Sequence, residues 1–305
     1  MIIERALIER IVFATDFSAC AEHAEGYVAH MARTYRATVD VLHVLEIYEG
    51  VFVTAMQDQR ETDERLAAVA RRLQHPSVRV TSQRKAGIPD VLICETAMET
   101  QADLIVLGIH GRTGLQHILL GSTAERVLTM APCPVLTITD PTGTEERRAP
   151  TPIQCKQALV PIDFSTCSLD ALEYGVQLAK DCGASMTLVH ILEPVAYGLD
   201  LILRQAPARD QEEAGRQLKS LVNTIQAHGV PLQDMIRGGL PADSILETVR
   251  AVDADLVVMG THGRRGISHI MRGSVAEALL RRASCPVLAL KNHAGIAGHR
   301  RVVPR

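Results

Sequence analysis

The strongest constraint on this chain is a segment that it contains twice. The residues from Asp103 to Ile138 recur, with substitutions, from Asp255 to Leu290. In each copy an apolar run ends at a glycine, a second glycine follows after two residues, and a third follows after nine more with a serine directly behind it. These positions are Gly108, Gly111, Gly121 and Ser122 in the first copy, and Gly260, Gly263, Gly273 and Ser274 in the second.

This pattern predicts a phosphate site in each copy. A buried strand that leads into a glycine-rich loop and then a helix suits an anion, because glycine lets backbone N–H groups approach it closely. Neither copy has the lysine of a Walker A loop or the spacing of a dinucleotide-binding fold. We therefore interpret both copies as nucleotide phosphate loops of another type.

The repeat extends over the whole chain. Asp163 follows Asp16 by 147 residues, and His190 follows His43 by the same number; Gly239 follows Gly87 by 152. The segment between the second strand and the Gly-x-Pro turn is therefore five residues longer in the second half than in the first. A difference in length that is confined to one segment indicates a surface loop or helix there. A polar segment without apolar periodicity separates the two repeats. The sequence therefore predicts a first domain at 1–140, a linker at 141–152 and a second domain at 153–305.

Within each half, apolar runs of strand length alternate with helical patterns, which predicts an α/β fold with a parallel sheet. The first half has predicted strands at Glu9–Ala14, Thr38–Leu45, Val78–Arg84, Leu104–Leu107 and Pro134–Ile138. Predicted helices run from Ala19 to Tyr35, with Ser18 as N-cap, from Glu61 to Leu73, from Pro89 to about Thr100, and onward from Ser122. Ligands of such sheets bind beyond the carboxyl ends of the strands, where the strand order reverses. Asp16, His43, Val44 and the glycine loop are expected to meet there.

Composition disfavours several other classes of protein. The 305 residues are 47% hydrophobic and 22% charged, with 3% aromatic residues and a formal net charge of −3, so a nucleic-acid partner is not expected. No apolar run is long enough to span a membrane, and the charged N-terminus does not resemble a signal peptide, so we expect a cytoplasmic protein. The seven cysteines lack C-x-x-C spacing, which predicts reduced, buried thiols.

These motifs resemble the universal stress protein family, whose nucleotide signature is G-x2-G-x9-G-[S/T]. The endings TDFS and IDFS of the first strand, HV and HI of the second, the G-x-P turn and the closing CPVL fit as well. The resemblance covers nearly the whole chain and implies two tandem Rossmann-like domains. Each would have a five-stranded parallel sheet in the order 3-2-1-4-5, with helices on both faces.

The resemblance also implies ATP, accompanied by Mg²⁺, as the ligand. Asp16 and Asp163 would contact the adenosine, and the backbone at Val44 and Ile191 would meet the adenine edge. The residues implied around the phosphates are Gly108, Gly111, Gly121, Ser122 and Thr123 in the first domain, and Gly260, Gly263, Gly273, Ser274 and Val275 in the second. The second copy keeps more of the family pattern and is expected to bind more reliably.

Structural explanations compete with these functional ones. Ser122 and Ser274 each precede a glutamate by three residues, which is a capping box. The two aspartates could cap the following helix, although Ser18 and Ser165 are better placed to do so and would leave the aspartates free. His43 and His190 are more typical of satisfied core histidines than of ligands. No catalytic residue and no protein metal site is predicted.

The leading functional hypothesis is an ATP-dependent stress-response regulator. The alternatives are a slow ATPase or autophosphorylating enzyme, and a scaffold in which one or both pockets are empty or hold another small molecule. The segments CPVLTI and CPVLAL predict apolar edge strands, which are expected to pair as an internal pseudo-dimer. A homodimer of the whole chain is a further alternative.

Overall fold

A computed structural model of the chain describes residues 7–46, 56–109, 120–139, 155–197, 202–204, 207–226, 229–261 and 274–291. The chain divides into two compact units between Gln154 and Cys155. The predicted linker at 141–152 lies outside the described residues. Each unit is described by itself below.

The first unit alternates five strands with four helices, as the sequence predicted. Its elements are β1 (Arg10–Ala14), α1 (Ala19–Tyr35), β2 (Thr38–Glu46), α2 (Met56–Leu73), β3 (Val80–Gly87), α3 (Pro89–Glu99), β4 (Leu104–Gly108), α4 (Ser122–Met130) and β5 (Val135–Ile138). All the strand pairs are parallel, and they place the strands in the order β3-β2-β1-β4-β5. Helix α1 packs beside α2, and α3 beside α4. Because crossovers between parallel strands are right-handed, these two pairs belong to opposite faces of the sheet.

The second unit repeats this plan. Its elements are β6 (Gln157–Pro161), α5 (Thr166–Cys182), β7 (Ser185–Leu192), β8 (Val195–Tyr197), β9 (Ile202–Arg204), α6 (Ala208–Gln226), β10 (Leu232–Gly238), α7 (Pro241–Ala251), β11 (Leu256–Gly260), α8 (Ser274–Arg282) and β12 (Val287–Leu290). Five of the strands pair in parallel in the order β10-β7-β6-β11-β12. The predicted class and strand order are thus found in both halves.

The five-residue difference between the halves has a local structural correlate. Helices α2 and α6 begin at Met56 and Ala208, which are 152 residues apart. This is the larger of the two offsets between the halves. The extra length therefore lies between β7 and α6, where β8 and β9 form an antiparallel pair. The sequence predicted a loop or helix in this segment and missed the pair.

Some predicted boundaries were wrong. Strand β3 begins at Val80 and ends at Gly87, later than the predicted Val78–Arg84, because its pairing with β2 continues through Glu46↔Gly87. Helix α2 begins at Met56, five residues before the predicted start. Helix α1 has the predicted bounds and the predicted N-cap, since the Ser18 hydroxyl accepts a hydrogen bond from the Ala21 N–H.

The core explains why the strands read as nearly continuous apolar runs. The central strands are covered on both faces, so successive residues such as Ile11, Val12 and Phe13 are all fully buried. Strand β3, in contrast, is partly exposed along its length. Within the described part of the chain, no helix is long and apolar enough to cross a membrane.

Candidate functional site

The candidate site lies at the carboxyl edge of each parallel sheet. In the first domain β1 pairs with β2 on one side and with β4 on the other, so that Ala14 is level with both Leu42 and Leu107. The chain builds β2 and β3 on one side of β1 and then crosses over to β4 and β5. The strand order therefore reverses between β1 and β4, where open α/β sheets bind ligands.

Asp16 lies directly beyond β1, in a turn that leads into α1. Its Oδ1 accepts hydrogen bonds from the Ser18 N–H at 3.0 Å and from the Ser18 hydroxyl at 2.6 Å. The sequence correctly predicted Ser18 as the N-cap, but the expectation that this would leave Asp16 free was wrong. The carboxylate orients the capping hydroxyl, and both side chains are half-buried.

Phe17, between them, adopts a left-handed conformation with φ of 60°. This region is uncommon for any residue with a Cβ atom and is strained for a bulky one. The Phe17 ring packs against the ring of His43, with 4.5 Å between the centroids. The Nδ1 of His43 lies 2.7 Å from the Thr15 carbonyl oxygen. Because a carbonyl only accepts, Nδ1 carries the proton and donates.

The second domain builds the same turn. The Oδ1 of Asp163 accepts from the N–H and hydroxyl of Ser165 at 3.0 and 2.6 Å. Phe164 has φ of 61° and packs 4.8 Å from the ring of His190, which donates from Nδ1 to the Ile162 carbonyl at 2.7 Å. His43 and His190 are thus buried and hydrogen-bonded, as the structural explanation from sequence expected.

Gly108 and Gly260 end β4 and β11 and lie against the first turn of a helix. A Cβ atom at Gly108 would be 3.0 Å from the Cys20 Sγ and 3.2 Å from the Ala21 nitrogen. At Gly260 it would be 2.7 to 2.8 Å from three atoms of Cys167. These two glycines therefore allow α1 and α5 to approach the strand ends. The sequence pattern did not predict this packing role.

The start of α4 also lies at this edge. The Gly121 N–H donates to the Ile109 carbonyl at 2.9 Å, directly after β4, and a Cβ atom at Gly121 would be 2.8 Å from that oxygen. Gly121 is the N-cap, no side chain caps the helix, and Ser122 and Thr123 are its first two residues. The predicted capping box of Ser122 and Glu125 was therefore wrong, because the serine lies one position inside the helix.

In the second domain, the exposed Ser274 begins α8 and the half-buried Val275 follows it. Three predicted glycines, Gly111, Gly263 and Gly273, lie outside the described residues. Val44 and Ile191 are half-buried residues near the carboxyl ends of β2 and β7, where they pair with Lys85 and Arg237 of the neighbouring strand.

The electrostatics of the first-domain edge favour an anion. Two helix N-termini meet at the end of β4, since α1 packs against Gly108 and the N-cap of α4, Gly121, is hydrogen-bonded to Ile109. Each N-terminus carries a partial positive charge and N–H groups without intrahelical partners. Among the described residues, no group of three or more histidine, cysteine or acidic side chains is placed to hold a metal ion.

The opposite edge of the sheets has a structural role. The Asp103 carboxylate accepts from the N–H groups of Glu9 and Arg10, and the Asp255 carboxylate accepts from those of Lys156 and Gln157. Burial raises the pKa of Asp255, and the backbone hydrogen bonds oppose that shift.

Three thiols of the second domain are electrostatically coupled to Asp255. Burial is the main cause that raises the pKa of Cys155, and it raises the pKa of Cys182 to about 11 and that of Cys285 to about 12. All seven cysteines are free; six are buried, as the sequence predicted, and Cys182 is half-buried.

Sequence comparison identifies the relatives of this fold. The model of the universal stress protein family matches residues 8–139 and again residues 155–291. A universal stress protein from Methanocaldococcus jannaschii is 32% identical over 143 residues, which cover 45% of this chain and 82% of that protein. Another from Mycolicibacterium smegmatis is 26% identical over 298 residues, covering 92% of this chain and 96% of the relative.

Structural comparison agrees at the level of the fold. The crystal structure of a universal stress protein from Archaeoglobus fulgidus has a TM-score of 0.73 at 21% sequence identity, and the match covers 93% of this chain and 99% of that one. With the family model matched in both halves, the chain belongs to the universal stress protein family as a tandem member.

Proposed function

We propose that each domain binds ATP at the carboxyl edge of its sheet and that the protein acts as a nucleotide-dependent regulator of the stress response. The observation that supports this most strongly is the convergence, in the first domain, of the Asp16 turn, the end of β4 and the N-termini of α1 and α4. The G-x2-G-x9-G-S signature occupies the same place in both sequence repeats. Main-chain amides at helix N-termini suit a polyphosphate.

In this proposal the two ends of the nucleotide meet different parts of the edge. Asp16 and Asp163 contact the adenosine, and the backbone at Val44 and Ile191 meets the adenine edge. The phosphates lie against the glycine loops and against Ser122, Thr123, Ser274 and Val275. Mg²⁺ would accompany the phosphates and needs no dedicated protein cage.

The hydrogen bonds of the aspartates are compatible with this role. Each uses Oδ1 for the serine that caps the following helix, which fixes the orientation of the carboxylate. A fixed carboxylate can accept from a ribose hydroxyl without paying further side-chain entropy.

Isothermal titration calorimetry of the full chain with ATP tests the proposal. Wild type should bind close to two nucleotides, and Asp16→Ala or Asp163→Ala should each weaken one of the two sites by about tenfold, as expected for loss of one hydrogen bond to a charged group. Asp181→Ala is the matched control, since it removes an exposed carboxylate from the C-terminal end of α5, and the opposite end of that helix is the one beside the Asp163 turn. Absence of any ATP binding by the folded wild type would exclude the proposed function.

The enzyme alternative is tested with the same variants. The sequence has neither the lysine of a Walker A loop nor the G-x-S-x-G motif of a serine nucleophile. We therefore expect phosphate release no faster than the uncatalysed background. Turnover that is lost in Asp163→Ala would instead favour a slow ATPase or autophosphorylating enzyme, whereas turnover that survives both aspartate substitutions would point to a contaminant.

Mass spectrometry of the purified protein separates ATP binding from the scaffold alternative. A bound adenine nucleotide released on denaturation is expected, and another small molecule in its place would favour the scaffold. We also propose a cytoplasmic location, supported by the seven free cysteines, which suit a reducing compartment.

A further inference from the structure

We infer that the equivalent thiols of Cys20 and Cys167 are positioning residues for the phosphate end of each site. This role rests on the proposed ATP binding and belongs to residues outside the glycine signature. Each thiol joins the first turn of a helix to the carboxyl ends of two strands, at the place where the phosphates are proposed to bind.

The two cysteines occupy equivalent positions in the two halves. Cys167 follows Cys20 by 147 residues, which is also the offset between Asp16 and Asp163. Each is the second residue of its helix, α1 or α5. Both are buried, with exposed fractions of 4% and 3%. Each domain therefore holds a buried thiol in the helical turn that directly follows its aspartate turn.

In the first domain the thiol belongs to a hydrogen-bonded junction of four segments. The Cys20 Sγ donates to the carbonyl of Ile138, the last residue of β5, at 2.9 Å. The same carbonyl accepts from the Ile109 N–H at 3.0 Å, and the Ile109 carbonyl accepts from the N–H of Gly121, the N-cap of α4, at 2.9 Å. A Cβ atom at Gly108 would lie 3.0 Å from the sulfur. The thiol thus links α1 to the ends of β4 and β5 and, through them, to the start of α4.

The second domain repeats the contact. The Cys167 Sγ donates to the carbonyl of Leu290, the last residue of β12, at 3.4 Å. That carbonyl also accepts from the Thr261 N–H at 2.8 Å, and a Cβ atom at Gly260 would lie 2.7 Å from the sulfur. The counterpart of the Gly121 contact lies outside the described residues. The link between helix, thiol and both strand ends is therefore present in both domains.

A thiol supplies two properties at this position. Its S–H is a weak donor, and its sulfur packs as a small apolar group. The Ile138 residue is fully buried, and its carbonyl oxygen has two lone pairs, so it can accept from both Cys20 and Ile109. Alanine would remove the donor and the sulfur, whereas serine would remove the sulfur and keep a donor. Comparison of the two substitutions therefore separates the hydrogen bond from the packing.

Loss of the junction should affect the phosphate end of the site more than the nucleoside end. The N-termini of α1 and α4 favour an anion through their N–H groups and partial positive charge. When the junction loosens, the relative orientation of these two N-termini is less well fixed, and binding must restore it at an entropic cost. The adenosine is proposed to meet Asp16 and Val44, which do not belong to the junction, so its own affinity should change little.

Isothermal titration calorimetry of the full chain tests this role with both thiols replaced, so that both sites change together. Cys20→Ala with Cys167→Ala should weaken ATP binding about fivefold, which converts to about 1 kcal/mol. The affinity for adenosine, measured by its competition with ATP, should remain that of wild type. Cys20→Ser with Cys167→Ser should recover most of the ATP affinity, because the hydroxyl still donates.

The matched control removes two other buried thiols. Cys133 and Cys285 precede β5 and β12, at the ends of these strands opposite to the junction. Cys133→Ala with Cys285→Ala should leave the affinities for ATP and for adenosine unchanged.

Amide hydrogen exchange of the ligand-free chain provides a readout that does not depend on ATP. Cys20→Ala alone should accelerate exchange of the Ile109 amide several-fold, since that amide donates to the carbonyl that the thiol also contacts. The Ile105 amide donates to the Pro134 carbonyl, at the other end of β5, and should exchange as in wild type. If the double alanine variant does not fold, Cys20→Ala and Cys20→Ser are compared as single variants.

Four results would overturn the role assigned to the thiols. They are wild-type ATP affinity in the alanine variants, an equal loss of affinity for ATP and adenosine, an equal loss of ATP affinity in the serine and alanine variants, and wild-type exchange of the Ile109 amide in Cys20→Ala. If wild type binds no ATP, the proposed function fails, and exchange of the Ile109 amide alone decides whether Cys20 holds the junction.

Discussion

At the residue scale, the glycines of the signature have more than one physical role. Gly108 and Gly260 belong to the motif that predicts phosphate binding, yet each lies where a side chain would meet the first turn of α1 or α5. The contact is closer in the second domain, where a Cβ atom would come within 2.8 Å of the Cys167 backbone. Loss of ATP binding on substitution of these glycines would therefore not by itself demonstrate a phosphate contact.

We expect Gly260→Ala to lower the free energy of unfolding by about 1–3 kcal/mol, in the range of overpacked sites. Gly108→Ala should have a smaller effect, because its closest contact is with the Cys20 side chain at 3.0 Å. Gly215→Ala in α6 is the matched control: its Cβ atom would make an ordinary 3.7 Å contact with the Ile236 side chain of β10, and alanine favours the helix. Denaturant unfolding measures the free energy of unfolding of each variant and checks this order. Equal losses of stability in all three variants would contradict the prediction.

The thiols give a second prediction at this scale. The raised pKa of about 11 keeps Cys182 protonated at neutral pH, so this half-buried thiol should react slowly with iodoacetamide at pH 8 and faster towards pH 11. A raised pKa in the folded state means that the related stability is complete below pH 9 and is lost as the pH rises towards 11. Mass spectrometry after timed alkylation checks the rate, with the unfolded chain as the reference. Reaction of the folded protein at the unfolded rate at pH 8 would contradict it.

At the scale of elements, the two domains solve the same local problem with different residues. The C-cap of α1 is Arg36, with φ of 53°, and the C-cap of α5 is Gly183, with φ of 68°. Both C-caps are left-handed, and glycine adopts this conformation more easily than arginine. The sequence alone does not predict such a cap at Arg36.

Substitution of these two C-cap residues should therefore change the stability of the two domains in opposite directions. We expect Gly183→Ala to destabilise the second domain by about 1 kcal/mol, and Arg36→Gly to stabilise the first domain by about 0.5 kcal/mol. Amide hydrogen exchange of α1 and α5 measures the stability of each domain separately in one experiment. Destabilisation by both substitutions would show that contacts of the Arg36 side chain outweigh the backbone term.

At the scale of the whole molecule, the pairing of the two halves remains a prediction from sequence. The apolar segments at β5 and β12 are the proposed contact of an internal pseudo-dimer, since long apolar edges are usually covered. A paired chain of 305 residues should have a radius of gyration of about 19 Å in small-angle scattering. A clearly larger value would indicate separated halves. The concentration dependence of the scattering tests for a homodimer of the whole chain.

The sequence by itself determined the duplicated α/β plan, because strand-length apolar runs, helical periodicity and turn residues recur at fixed offsets. It also determined the N-cap at Ser18 and the bounds of α1, since a capping hydroxyl and the apolar face of that helix are local signals. Boundaries that depend on a neighbour, such as the end of β3 at Gly87, were set by pairing with β2.

Only the tertiary structure decided the contacts between distant segments. The bond between Asp16 and Ser18 is local, but the packing of Phe17 between His43 and Arg65 joins three elements that the sequence separates by up to 48 residues. The left-handed Phe17 and the close approach of Gly260 to Cys167 likewise arise from packing. Sequence patterns report the preferences of a residue and its neighbours along the chain, whereas these contacts depend on how strands and helices meet in space.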